Sequence, residues 1–194
     1  MTTKAVKSVY FLLIVGLFLA GCNAGNRGDQ TVDSIEKMND SMGNKSDSVI
    51  TSAPALSDTS FVNQAADAGL TEVAVGKLAQ EKGVNQAIRD FGKRMVADHS
   101  KANEELTTIA NRKNWTLPSS PSKAHADHIA MLQTKEGADF DKAFADMMVK
   151  DHDKVVKLFE NASASLTDTD LKAFAAKTLL ILEEHLTLAK NLPK

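Results

Sequence analysis

The stretch "FGKRMVADHSK" (residues 91–101) returns fifty-three positions later as "FADMMVKDHDK" (residues 144–154). Both copies share F-x-x-x-M-V-x-D-H-x-K, and the Phe, Met and His of each fall at steps of four, so in a helix they lie on one face. Around the first copy that face reads Phe91, Met95, Ala102, Leu106 and Ile109, with His99 filling the gap in the series. Around the second it reads Phe144, Met148, Val155, Phe159 and Ala162, with His152 in the same gap. Two further stretches have the same character. Leu171, Phe174, Thr178, Ile181, Leu188 and Leu192 make a stripe interrupted by His185, and Phe61, Ala65, Ala68, Val75 and Ala79 make one interrupted by Glu72.

These stripes predict four long helices, over about residues 59–82, 86–114, 139–164 and 168–192, with no alternating strand pattern anywhere after residue 60. Gly83 stops the first, Asn85 caps the second, and Thr167 with Asp170 three residues on reads as a capping box for the last. "TLPSSPS" (residues 116–122) breaks the chain, and "KAHADHIAMLQTK" (residues 123–135) forms a short extra helix. Two or three residues separate the members of each outer pair, which makes them antiparallel hairpins. About 24 residues join the pairs, enough to run the length of a bundle. The expected class is therefore all-α, a ferritin-like four-helix bundle of two hairpins joined by a long crossover; an up-and-down bundle with a decorated middle loop is the alternative topology.

Each helix gives up one core position to a polar side chain near its middle, so Glu72, His99, His152 and His185 are expected to meet in one layer. A lone buried carboxylate costs several kcal/mol. Three imidazoles beside it offset that cost either by mutual hydrogen bonds or by sharing a cation. Asp98, Asp151 and Glu184 each precede one of these histidines; adjacent helical residues point about 100° apart, so each is expected to reach a histidine on the next helix and orient it. Met95 and Met148, four residues before His99 and His152, add soft thioether sulfur on the same face. One Glu with three His suits copper, zinc, iron or manganese, and the thioethers favour copper. The Glu-x-x-His pairs of di-iron bundles are missing, since Val96, Val149 and Leu182 stand three residues before the histidines. The competing reading is a polar network that only fixes helix register. His125 and His128, on the short helix, read as a solvated pair.

The ends place the protein. Lys4 and Lys7, then the apolar run "VYFLLIVGLFLA" (residues 9–20), then Leu19-Ala20-Gly21-Cys22 form a secretory leader whose close resembles a bacterial lipobox. Residues 1–21 are expected to be removed and Cys22 lipidated, anchoring the chain to a membrane. Twelve apolar residues are too few to span one, which takes about 20. Cys22 is the only cysteine, so once it is acylated no thiol chemistry, disulfide or iron–sulfur cluster is open to the chain. Residues 22–57 read as a polar tether of root-mean-square span about 30–35 Å, with Val32, Ile35, Met38 and Met42 able to line one face of a short helix. Residues 58–194 form the domain. Asn23 is compatible with sorting to the outer membrane, facing the periplasm.

Without Lys4 and Lys7 the chain keeps 21 basic against 25 acidic residues, a formal charge of −4, and the full sequence holds one Trp and one Tyr. That balance, with no basic stripe interleaved with aromatics, excludes a nucleic-acid partner. Glycine-rich phosphate loops, G-x-S-x-G and H-E-x-x-H are missing, which leaves nucleotide-dependent, serine-hydrolase and zincin chemistry without support.

From about Ser60 to Leu192, "FVNQAADAGLTEVAVGKLA", "FGKRMVADHSKANEEL", "GADFDKAFADMMVKDHDKVVKLFE" and "EEHLTLAKNL", in that order, resemble the bacterial family known as domain of unknown function 4142. The resemblance implies a ferritin-like fold and an exported lipoprotein, and names no activity. More loosely, the paired Met and His helices are similar to exported four-helix proteins that bind copper. The functional expectation is an envelope protein whose core holds a transition metal; the alternative is a structural or stress-related interaction module.

Overall fold

The computed structural model describes residues 55–194. The expected leader, the expected lipidation at Cys22, the short helix expected around Val32 to Met42 and nearly all of the expected tether lie outside the described residues. Five helices follow in order: α1 Asp58–Lys82, α2 Gln86–Arg112, α3 Lys123–Gln133, α4 Gly137–Ser165 and α5 Thr169–Lys190. Among the described residues there is no strand, and no helix is long and apolar enough to cross a membrane.

The helix ends follow from local chemistry. Ser57 accepts a hydrogen bond from the Ser60 amide and Asn85 from the Ala87 amide, each satisfying a donor that the first turn leaves open. The start of α5 corrects the expectation. Asp168, not Thr167, is its cap, accepting from the amides of Asp170 and Leu171 at 3.0 Å. Thr167 is drawn away because its hydroxyl donates to Asp58 at 2.7 Å, tying the beginning of α1 to the turn between α4 and α5.

α1 packs on α2 and α4 on α5 as two hairpins; α1 also packs on α4, α2 on α5, and α3 lies against α1 and α4. Polar ties fix the directions. At one end the buried Asp141, near the start of α4, accepts from the amides of Val84 and Asn85 at 3.0 and 2.8 Å, and Lys82 reaches the Gln133 carbonyl and Glu136 at 2.6 Å. At the other end Lys113, just past α2, pairs with Asp168. So α2 and α4 both start at the first end, and residues 113–136, carrying α3, return the chain between them. Nothing in the sequence marked Asp141, whose role is visible only once the loop beside it is placed.

The core divides into two apolar clusters. One holds Phe61, Val62, Leu106, Val156, Phe159 and Phe174; the other holds Val75, Ile88, Phe91, Met95, Phe144 and Met148. In each long helix a predicted polar residue falls between the members of the two clusters: Glu72 in α1, His99 in α2, His152 in α4, His185 in α5. All four are buried. Edge-on Phe61 and Phe159, with ring centroids 5.1 Å apart, and Phe91 and Phe144, at 6.1 Å, close the core on either side. Two stripe positions are shifted by one residue: Val156 and Leu182 are buried where Val155 and Ile181 were expected, and those two are only half-buried, as are Ala68 and Ala102. Neighbouring apolar residues let a helix rotate toward the better-packed of the two.

α1 and α2 pack backbone against backbone at Gly76 and Gly92. A Cβ on Gly92 would lie 2.7 Å from the Gly76 carbonyl oxygen and 2.7 Å from the Ala79 Cβ. Backbone cannot move aside as a side chain does. Gly92→Ala is therefore expected to destabilise the fold by about 1–3 kcal/mol, read as a lower urea midpoint. An unchanged midpoint would mean that the hairpin separates at no cost.

Candidate metal centre

His99, His152 and His185 converge from α2, α4 and α5, and one ring nitrogen of each lies within 4.8 Å of the other two. Their ring centroids are 5.3 to 5.9 Å apart. His152 and His185 are fully buried and His99 is 6% exposed. Phe91, on the second cluster, approaches the rings of His152 and His185 at 6.3 and 6.0 Å.

Two of the rings have one nitrogen engaged on the outside of the group. His152 Nδ1 hydrogen-bonds the Met148 carbonyl at 2.9 Å, one turn back on α4. A carbonyl only accepts, so Nδ1 carries the proton and Nε2 presents a lone pair. His185 Nε2 meets Asp98 Oδ2 at 2.8 Å and donates to it, which leaves its Nδ1 bare. Those bare nitrogens, together with His99 Nε2, have no hydrogen-bond partner. An unpaired buried polar atom costs about 1–3 kcal/mol. One water carries two protons and so serves the lone pairs of His152 and His185 at most; a Lewis-acidic cation serves both and also His99, in the tautomer that bares its Nε2.

Electrostatics keeps the lone pairs free. Burial, then the proximity of His152 and His185, holds His99 well below the usual imidazole range. Burial and then His185 bring His152 down to about 4 against the raising effect of its bond to Met148. Burial also lowers His185, less far because Asp98 opposes it. At neutral pH the group is three neutral imidazoles. Nitrogens of His99, His152 and His185, all within 4.8 Å of one another, would hold the ion as neutral imidazole ligands. The donor set fits zinc, copper or iron.

Glu72 stands apart from this triangle. Its Oε1 is 3.9 Å from His152 Nδ1, the nitrogen already committed to Met148, and its Oε2 has no partner. Burial, then the nearby Asp151, pushes its carboxyl well above the usual range. The four residues expected to share a site thus share a layer, with three of them forming the convergent group. Of the three carboxylates expected to orient histidines, Asp98 alone does so, from α2 to His185 on α5. Glu184 turns outward to Arg94 at 2.7 Å, and that guanidinium also approaches Asp98 at 3.4 Å. Asp151 faces Glu72 and Lys154, the latter at 3.8 Å. Met95 and Met148 are fully buried in the second apolar cluster. On α3, His125 Nδ1 pairs with Asp67 at 2.9 Å and the His128 ring lies 6.4 Å from its own, so the expected solvated pair is half engaged.

A void of about 20 Å³ touches His99 and is walled by Gly69, Leu106, Phe159 and Phe174, with Asn103 and Thr178 as its polar members. It has room for about one water molecule.

A model of the family described as Domain of unknown function (DUF4142) matches residues 44–192. The chain belongs to that family. Among solved structures it is similar to the crystal structure of a DUF305 fragment from Deinococcus radiodurans, at 11% identity and a TM-score of 0.61, over 69% of this chain and 92% of that one. At that identity the likeness is one of fold. No curated protein matches. Family membership in DUF4142 agrees with the residues that carried the resemblance, three of which are the convergent histidines.

The depressed histidines give the metal-free protein a defined acid response. In the unfolded chain an imidazole takes up its proton near pH 6.5; in the fold these three do so only at lower pH. Their contribution to stability is full above about pH 6.5 and is lost as pH falls toward 4, by up to about 1.4 kcal/mol per pH unit per ring. Glu72, with a raised pKa, acts with the opposite sign and loses stability as pH rises above about 4.5. Three rings outweigh one carboxyl, so the urea midpoint of the metal-free protein is expected to drop between pH 7 and 5. A midpoint that holds or rises would mean that the rings are solvated.

Proposed function

We propose that this is a lipid-anchored protein of the bacterial cell envelope whose domain, a ferritin-like four-helix bundle, binds one transition-metal ion through His99, His152 and His185. The observation that carries the reading is the convergence of three buried, neutral imidazoles, each with a nitrogen that nothing among the described residues satisfies. The shared starting end of α2 and α4 supports the ferritin-like arrangement over an up-and-down bundle. Asp98 adds the carboxylate-to-imidazole contact expected behind a ligating histidine. Copper, zinc and iron are the candidate ions.

Binding rather than catalysis is the role this centre fits. Two of the three rings are sealed from solvent, and the void beside the third holds about a single water, so a substrate has no place to sit. The lipobox-like Leu19-Ala20-Gly21-Cys22 supports lipidation at Cys22 and an envelope location. Membrane contact is through lipid, and no nucleic acid is involved.

Two measurements test the reading. Titration of the untagged, metal-free protein with Zn(II), Cu(II), Cu(I) and Fe(II) is expected to give one equivalent, lost in His99→Ala and weakened about 10- to 100-fold in Asp98→Asn. Saturation at 100 times Kd should add about 2.7 kcal/mol of stability. No uptake of any ion would leave the histidines as a polar network inside an interaction module. Separately, Cys22→Ala is expected to move the protein from the membrane fraction to the soluble envelope fraction and to abolish labelling by radioactive palmitate; membrane retention without label would refute the anchor.

A further inference from the structure

His152 and His185 are fully buried and the void beside the slightly exposed His99 holds about one water, so an ion needs another way in. A cleft of about 300 Å³ between α1 and α4 is bordered by Asp67, Glu72, His125, Asp151 and Lys154. It is open to solvent at the Lys154 side, where that residue is exposed, and its border includes the 3%-exposed Glu72. Glu72 is in turn 3.9 Å from His152. Three other clefts, of about 330 to 440 Å³, touch none of the four layer residues, and the void against His99 is too small for a hydrated cation.

We infer that the α1–α4 cleft is the loading route by which hydrated divalent cations reach the three-histidine centre, with Asp151 and Glu72 as the carboxylates that pass the ion inward. This rests on the metal-binding reading given above. The main support is the position of Glu72 itself. Its Oε2 is buried without a hydrogen bond among the described residues, and its Oε1 comes no nearer to the neutral His152 ring than 3.9 Å. A buried carboxyl with no partner weakens a fold, and an apolar side chain of similar size would serve the core better. Its presence has a use if the partner is transient. A divalent cation sheds its water in steps, and each step is easier when an oxygen ligand replaces the water lost. Asp151 at the half-buried lip and Glu72 at the floor offer two such replacements in sequence, ending beside the Nδ1 edge of His152, from which the ion passes the ring to reach Nε2. Asp67 and His125, paired at 2.9 Å, hold α3 against α1 and form the fixed wall of the passage.

The test is stopped-flow loading of the detergent-solubilised, metal-free full chain with Zn(II), followed by the colour change of a weak zinc-binding dye. Glu72→Gln and Asp151→Asn are each expected to slow loading by about tenfold or more, while equilibrium stoichiometry stays at one ion. Asp146→Asn, a carboxylate of α4 held by Lys142 and Lys194 outside the cleft, should load at the wild-type rate. Wild-type rates in both cleft variants, with the ion still lost in His99→Ala, would overturn the route and leave the centre standing. Loss of the bound ion at equilibrium in Glu72→Gln would make Glu72 a ligand and overturn its role in transfer. No uptake by the wild type would remove the centre and the route together.

Discussion

Three imidazole rings buried in one layer of an apolar core each present a nitrogen that no group among the described residues satisfies, and in His152 and His185 the tautomer makes that nitrogen a lone pair. The surrounding structure is arranged about that deficit. His152 and His185 are held in fixed tautomers by Met148 and Asp98, contacts that lie on the outside of the group and so commit the remaining nitrogens to the inside. Protonating the rings would supply donors, but burial and mutual repulsion oppose it. A cation answers the two fixed lone pairs and the His99 nitrogen at once.

The layer exists because of where the helices are cut and tied. Each of the four long helices carries its polar residue between segments that belong to different apolar clusters, and the layer closes only if the helices are in register. The ties at the two ends set that register. Asp141 fixes the α1–α2 turn to the start of α4, Asp58 fixes the start of α1 to the α4–α5 turn, and Gly76 with Gly92 lets the first hairpin close tightly. With the register set, histidines far apart in sequence come to one level.

The sequence made much of this legible. The repeated Phe, Met and His at steps of four fixed the buried faces of α2 and α4, and the gap in each stripe identified the three histidines. The helix limits followed from Gly83, Asn85 and the proline-bearing break near residue 118. What could not be read was rotation about each helix axis. Adjacent residues differ by about 100°, so periodicity alone did not distinguish Val155 from Val156 or Ile181 from Leu182. For the same reason it assigned three carboxylates one role, when Asp98 turns toward a histidine, Glu184 toward Arg94 and Asp151 toward Glu72. Glu72 was placed at the right level; its distance from the convergent nitrogens depends on which side of His152 it meets. Asp141 and the Thr167–Asp58 contact join residues too far apart in sequence for any local pattern to reveal.

The claim that the three imidazoles form one ligand set is tested most directly by X-ray absorption at the metal edge of the zinc-loaded protein. The account predicts three imidazole nitrogens at about 2.0–2.1 Å, with the outer-ring scattering of histidine, and one fewer in His99→Ala. A shell made of oxygens alone, or a spectrum unchanged in His99→Ala, would contradict it.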